Sequence, residues 1–547
     1  MSRGLSGERS EKPPGGVFLL RILPAKRVFG EETMTLLKKI ASLVFHRTAL
    51  VGLLLVVQVV LLVVMMVGFA DYFVQFYILC VAVSVLVVLW IVNARSDPGY
   101  KIAWIIPILV FPVFGGLVYL LCGGNQLSAR TRRKMEGMDR KLVEVLSDDY
   151  KAEDLAPYGK DAVNQSRYLE QYAHCPLYTN TATRYYPLGD DAFPDMLEAL
   201  RRARSYIFLE YFIIDHGVFW DSIVDIMEEK AKAGVDVRVI YDDIGSLYTL
   251  PKNYPAELED KGVKCRVFNR FVPVLSVRLN NRDHRKFCIV DGHTGFTGGI
   301  NLADEYINQR GKYGHWKDSA IRLQGEAVWS MTVMFLTMWD YICGVDEPYD
   351  KYRPAHLPEA SGAGAGYYVQ PYTDSPLDGE PVGETVYLNL INKARDYVYI
   401  TTPYLIVSDS VNTALCNAAK EGVDVRIMTP HIPDKKIIFE VTRAHYEPLL
   451  EAGVKIYEYT PGFVHGKNFA VDDKYATVGS INMDYRSMFL HFEDGVWLCG
   501  DPTVLDVKAD FLNTQNKCQE ITLERCREHS VGRRLLRAVL RVFAPLM

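Results

Sequence analysis

HRKFCIVDGHTGFTGGIN, residues 284–301, and HGKNFAVDDKYATVGSIN, residues 465–482, decide how this chain is built. His284 aligns with His465, Lys286 with Lys467, Asp291 with Asp472, Gly298-Gly299 with Gly479-Ser480, and Asn301 with Asn482, all at identical spacing. One His-x-Lys arises by chance; two eighteen-residue copies with the same landmarks mark an internal duplication. Each copy carries one imidazole and one ammonium, half of what displacement at a phosphodiester needs. Two copies facing one another supply the whole.

The segments Lys286–Val290 and Lys467–Val471 read as strands running to an Asp-containing turn. Residues two apart on a strand share a face, so His284 projects with Lys286 and His465 with Lys467. Asp291 and Asp472 are counted with the catalytic set as motif members, yet their opposite parity assigns them to the turn. Asn301 and Asn482 offer amide hydrogens to phosphate oxygens. One neutral histidine attacks phosphorus while the other, protonated, supplies the leaving alkoxide, and an unperturbed pKa of about 6.5 permits either state near neutrality. The lysines and asparagines offset charge on the non-bridging oxygens. This chemistry needs no metal or other cofactor, and no acidic cluster of metal-binding type is evident.

Outward from the motifs the repeat continues. RRARSYIFLEYFII (201–214) resembles NKARDYVYITTPYLIV (392–407), and KAKAGVDVRVIYDD (230–243) parallels AAKEGVDVRIMTPH (418–431). A helix ended by Gly and followed by a strand, in both halves, predicts two α/β halves with sheets covered by helices, related by a pseudo-twofold axis. The halves are expected at 180–355 and 367–530, separated by a Pro, Gly and Ala-rich linker at 356–366.

The N-terminal part differs in kind. Windows 48–70, 72–94 and 102–122 carry no charge, and about 20 apolar residues span a bilayer, so residues 47–129 read as a membrane anchor. The third window contains Pro107, Pro112, Gly115 and Gly116, which interrupt a helix. Lys38, Lys39 and Arg47, then Arg95 and Lys101, then Arg130, Arg132, Arg133 and Lys134 flank the windows. The positive-inside rule would place all three groups in the cytoplasm, which three full spans cannot do and two spans plus a re-entrant segment can. Residues 1–46 read as a poorly ordered extension with Met34 as a candidate start, and 130–179 as a helical linker. The tail 531–547 reads as a basic amphipathic helix, with Arg533, Arg537 and Arg541 on one face and Leu536, Val539, Leu540 and Phe543 on another. It either meets anionic headgroups or docks on its own domain.

A net charge of −5 with no basic run outside the membrane flanks argues against nucleic acid as partner. The ten cysteines form no CxxC pair and no metal-ligand spacing, and read as packing residues.

The duplicated His-x-Lys-x4-Asp pattern resembles the phospholipase D superfamily. AWIIPILVFPVFGGLVYLLCGG (103–124), FTGGINLADEY (296–306) and VGSINMDYRSMFLHFE (478–493) are similar, more closely, to its bacterial cardiolipin synthases. The resemblance covers residue 75 to the end. It implies a phosphatidyl group passed from one phosphatidylglycerol to another through a phosphohistidine, with glycerol released, in the bacterial plasma membrane. It also implies an acid orienting each histidine, at positions matched by Asp318 and Glu493, with Ser480 beside the second motif. By the same analogy His284 is the nucleophile and His465 the acid, although the two copies are symmetric on this point. Glu210 matches a family position near the site; its counterpart run, ITTPY, lacks the acid. Hydrolysis, transfer to another alcohol such as ethanolamine or serine, and a catalytically silent scaffold stand as alternatives. The lipid partners expected are phosphatidylglycerol and anionic membrane lipid; oligomeric state and the face of catalysis stay open, with a lean to the cytoplasmic one. His216, His293, His315, His431 and His491 are read as ordinary loop or core residues.

Overall fold

The computed structural model describes residues 70–94, 97–112, 129–147, 151–270, 280–355 and 366–546, with scattered positions at 56–68 and 115–123. The expected extension 1–46, most of the window 48–70 and all but the last residue of the linker 356–366 lie outside them.

Among the described residues twenty strands follow in chain order: β1 Thr181–Tyr186, β2 Tyr206–Tyr211, β3 Asp236–Asp242, β4 Lys264–Phe268, β5 Arg282–Asp283, β6 Phe287–Val290, β7 Thr294–Gly298, β8 His315–Lys317, β9 Ala320–Gly325 and β10 Tyr368–Asp374. Then come β11 Tyr397–Thr401, β12 Leu405–Ile406, β13 Asp424–Pro430, β14 Lys455–Tyr459, β15 Gly462–Val464, β16 Asn468–Val471, β17 Tyr475–Gly479, β18 Met483–Asp484, β19 His491–Cys499 and β20 Cys518–Ile521. The first sheet runs β1-β9-β7-β6-β2-β3-β4, and the second β10-β19-β17-β16-β11-β13-β14, with β20 added at its edge. Strand for strand these are one topology used twice. In each, a parallel core (β2-β3-β4 or β11-β13-β14) meets an antiparallel flank. The parallel strands need crossover helices, supplied by Val218–Lys232 in one half and Asp409–Lys420 in the other. Beyond those helices Gly234 and Gly422 take φ of 91° and 99°, the left-handed turn that ends a helix and starts the next strand. The helix Val328–Cys343 is buried over most of its length and belongs to a core cluster that draws on both sheets, so the two halves share one interior.

Two short ladders cross between the halves. β5 pairs in parallel with β19, Arg282 opposite His491 and Asp283 opposite Phe492. β15 pairs in parallel with β8, Phe463 opposite Trp316 and Val464 opposite Lys317. Each crossing strand immediately precedes a motif histidine. The motif is therefore not one continuous strand: His284–Lys286 and His465–Lys467 occupy the bend between a strand that visits the other half and one in their own sheet.

Before this body, the helix Ala70–Asn93 is apolar throughout, and its stretch Val74–Asn93, with mean hydropathy 2.6, is long enough to cross a bilayer. One side of it points outward, Ile78, Leu86 and Val92 each being more than half exposed, while Ser84, Val87 and Ile91 are buried. The window 102–122 behaves differently. Its helix, Pro98–Val110, has 13 residues, about 20 Å, and gives out at Phe111, four residues beyond Pro107. The chain then returns along it. Ile108 backs onto Gly115, the rings of Trp104 and Tyr119 lie 5.3 Å apart edge to face, and the Tyr100 hydroxyl donates to the Gly123 carbonyl at 3.0 Å. Partners thus step in opposite directions, the signature of an antiparallel hairpin. Ser84 of the long helix donates to the Pro112 carbonyl at 2.8 Å, satisfying a group the turn leaves over.

A Cβ on Gly115 would stand 2.6 Å from the Cα of Ile108 and from the Pro107 carbonyl oxygen. Gly115→Val should therefore force the hairpin apart at a cost of about 1–3 kcal/mol. A lowered thermal midpoint of the detergent-solubilised protein is expected; an unchanged one would mean that the return limb does not pack as described.

Candidate active site

His284 and His465 are each held by the opposite half. The His284 backbone N–H donates to the Phe492 carbonyl at 2.9 Å, and its Nδ1 lies 2.9 Å from both carboxylate oxygens of Glu493. The His465 N–H donates to the Lys317 carbonyl at 2.7 Å, and its Nδ1 lies 2.6 Å from Asp318 Oδ2. In both cases the crossing ladder puts the acid one residue beyond the carbonyl that holds the histidine backbone. A carboxylate at Nδ1 fixes the ring and leaves Nε2 for chemistry.

The lysines curl back under the rings. Lys286 Nζ donates to the His284 carbonyl, and Lys467 Nζ to the His465 carbonyl while lying 2.8 Å from His465 Nδ1. Both are buried, and desolvation pushes Lys286 down to about 8 and Lys467 down to about 7. Burial first, then Lys286, holds His284 far below its ordinary value, with Lys467 and His465 of the other half also contributing; this places both copies in one electrostatic field. Burial, then Lys467, takes His465 down to about 4. The two acids diverge. Burial works against ionisation of Asp318, but His465 and Lys467 outweigh it and keep its pKa below normal; at Glu493 burial prevails and raises it.

The other motif residues separate sharply. Asp291 and Asp472 leave the catalytic set. Each takes a left-handed turn (φ 53° and 52°), and its carboxylate accepts three backbone N–H groups, from Arg204, Ser205 and Tyr206 in one copy and Arg395, Asp396 and Tyr397 in the other. These bonds, 2.7–2.9 Å, tie the turn to the start of the neighbouring antiparallel strand, β2 or β11. Asn301 is partly committed: its amide oxygen accepts from Ile213 N–H at 3.0 Å and its NH₂ donates one hydrogen to the Tyr306 hydroxyl at 2.8 Å. The Asn482 amide oxygen is buried without a partner among the described residues, which leaves the two asparagines inequivalent. The Ser480 hydroxyl donates to Glu493 and accepts from the Asp494 N–H, fixing the acid in place of touching a substrate. Its counterpart Gly299 has no room for a side chain, because a Cβ would lie 2.0 Å from Asp318 Oδ1. The shorter acid sits where the serine would be.

Glu210, on β2, forms a buried ion pair with Arg285. In the second half Gly466 replaces Arg285, and Thr401 stands at the register position of Glu210, so charge and countercharge are absent together. That joint absence is a signal the sequence carried. His491 is the residue sequence reasoning passed over. It lies where Trp316 lies in the other half, its ring 5.5 Å from that of His284, as Trp316 is 5.4 Å from His465. Among the described residues His284, His491 and Glu493 form the one group with a donor set for a divalent ion. His284 and Glu493 are already bonded to each other, and the buried Lys286 beside them opposes a cation.

A family model described as the phospholipase-D-like domain of cardiolipin synthase matches residues 196–339 and 387–514, and a phospholipase D–nuclease N-terminal model matches 82–124. Cardiolipin synthase 2 of Bacillus anthracis is 35% identical over 83% of this chain and 88% of its own. The chain belongs to the cardiolipin synthase family of phospholipase-D-like proteins. Cardiolipin synthase of a Geobacillus species is 34% identical over 85% of this chain and 93% of its own, and an uncharacterised protein of Streptococcus mutans 41% over 84% and 99%. Among solved structures, a phosphatidylserine synthase of Haemophilus influenzae superposes with a TM-score of 0.52 at 15% identity, covering 70% of this chain and 98% of that one. That likeness is one of fold alone.

The buried neutral His465 gives a signed pH dependence. Its pKa is about 4 folded, against about 6.5 unfolded, so between those values the unfolded chain binds the extra proton. Stability from this group is complete above about pH 6.5 and falls by about 3 kcal/mol as pH drops to about 4. His465→Gln should lose less stability than the parent between pH 7 and pH 4.5 in denaturant titrations. Parallel acid limbs for the two proteins would mean that the imidazole is not buried in neutral form.

Proposed function

We propose that this chain is a membrane-bound phosphatidyltransferase that makes cardiolipin from two molecules of phosphatidylglycerol. The observation that carries the reading is the pair of buried imidazoles, each with Nδ1 taken by a carboxylate and each backed by a buried lysine. His284 Nε2 attacks phosphorus and its P–N bond forms as the P–O bond to glycerol breaks; His465, neutral in the resting site, takes up a proton as the phosphate anion arrives and gives it to the departing alkoxide. Neutral His465 then takes the proton from the glycerol hydroxyl of a second phosphatidylglycerol. That oxygen attacks phosphorus and releases His284. Asp318, held ionised, favours the imidazolium of His465, and the strong depression at His284 favours a neutral nucleophile, which supports this division of labour. Lys286 and Lys467, poised near neutrality by burial, regain full charge as a phosphate anion arrives. Burial of both histidines, 6% and 7% exposed, limits water as a competing acceptor.

The membrane topology belongs to the same proposal. Spans at 48–70 and 72–94 followed by a re-entrant hairpin bring every basic flank, and the catalytic body, to the cytoplasmic face of the plasma membrane. The shortness of the Pro98–Val110 helix and the antiparallel return after it support this arrangement.

Purified protein given phosphatidylglycerol labelled in its acyl chains should yield labelled cardiolipin and one glycerol per cardiolipin. Phosphatidic acid as the sole labelled product would assign a hydrolase. His284→Ala and His465→Ala should each lower turnover by about 10³-fold or more, with the double variant no lower, because the pair acts as a unit. Independent, multiplying losses would contradict a shared site.

A further inference from the structure

The C-terminal helix Val531–Phe543 docks with the polarity opposite to the one its composition suggests. Arg533 and Arg537 turn inward and share Glu440 of the helix Lys436–Ala444, Arg537 Nε donating to Glu440 Oε2 at 2.9 Å. The apolar face looks out, with Val531 81% and Leu535 66% exposed. Beside it opens a groove of about 790 Å³ whose other wall includes Gly99 and Ile102 of the membrane hairpin. Its lining is of two kinds. Ile102, Leu535 and Val542 form an apolar side, and Arg534, Arg537 and Arg541 a cationic one.

The cationic side has unmet bonding capacity. His445 is 4% exposed, and neither ring nitrogen has a hydrogen-bond partner among the described residues; Arg537 is 7% exposed and its Nη2 has none among them. Both line the groove. Arg534 and Arg541 form no ion pair among the described residues, whereas Arg443 at the same site is satisfied by Glu458. The carboxylates present are Asp409 and Glu447, the latter bonded to Arg527, so arginine charge exceeds carboxylate charge. Buried donors without acceptors are costly, and an anion between these side chains would satisfy them. Burial, followed by Arg541, takes His445 down to about 3, so it meets such an anion as a neutral imidazole with one N–H to give.

We propose that this groove is a binding site for an anionic phospholipid, separate from the histidine pair, with the phosphate among Arg534, Arg537, Arg541 and His445 and an acyl chain along Ile102, Leu535 and Val542. The volume far exceeds a free phosphate, and most of the wall is apolar. The hairpin that forms one wall follows directly on the helix long enough to cross the bilayer, so the groove opens beside the lipid phase. Tyr485, another wall residue, lies three positions after Asn482, next to the β12–β18 ladder, so an occupant would brace the segment leaving the second motif. The proposal does not rest on the reaction assigned above.

The test counts lipids bound to the full chain in neutral detergent by native mass spectrometry, in a His284→Ala background so that none is consumed. With phosphatidylglycerol as probe, the parent should hold one lipid more than the same chain carrying Arg534→Gln and Arg541→Gln, or bind it about ten-fold more tightly. Phosphatidylcholine should not replace it, and excess inorganic phosphate should not displace it. Equal counts in both proteins, or equal occupancy by phosphatidylcholine, would overturn the proposal; displacement by inorganic phosphate would make this a free-anion site and overturn the lipid assignment. Arg534 and Arg541 are exposed, so an unchanged thermal midpoint is expected and ties any loss to the groove.

Discussion

Two buried imidazoles must each find a partner for Nδ1, and neither half of this chain supplies its own. His284 hangs on the carbonyl of Phe492 and the carboxylate of Glu493; His465 hangs on the carbonyl of Lys317 and the carboxylate of Asp318. An imidazole or ammonium taken from water without such partners costs several kcal/mol. The exchange therefore makes each half the condition for burying the other's charged groups. The shared core and the short parallel ladders β5–β19 and β15–β8 follow from the same requirement.

Around this symmetric exchange the two copies have diverged in a consistent way. Where the first half carries Arg285 and Glu210, the second has Gly466 and Thr401, and no lone charge is left in either. Where the second half uses Glu493 steadied by Ser480, the first uses the shorter Asp318 pressed into the space above Gly299. One acid is kept ionised by its neighbours and the other is pushed towards its neutral form. A duplicated site thus becomes chemically unequal through changes of a methylene, a hydroxyl and an ion pair, which is the physical route by which like residues take unlike roles.

The membrane-facing elements show the same dependence on context. A helix of 13 residues followed by Pro112 and two glycines is too short to cross and is held as a hairpin by close packing at Gly115 and by aromatic contact. The C-terminal helix has an amphipathic pattern that invites basic-face contact with headgroups. Glu440 captures two of its arginines and turns its apolar side outward instead.

The duplication, the motif spacing, the α/β halves and the Gly-ended crossover helices were legible in the chain because each is a local pattern: a repeat, a periodicity, a residue able to take positive φ. The strand-end parity that gave Asp291 and Asp472 to the turn was legible for the same reason, and their three backbone bonds bear it out. What the sequence could not reveal is which residues meet across about two hundred positions. That His284 belongs with Glu493, that Asn301 bonds Ile213 and Tyr306, and that His491 stands where Trp316 stands are consequences of how two sheets pack. Local pattern fixes the elements, because helix and strand are decided by neighbours in the chain. The partners of a buried charge are decided by desolvation, and that acts on whatever the tertiary fold brings within hydrogen-bond reach.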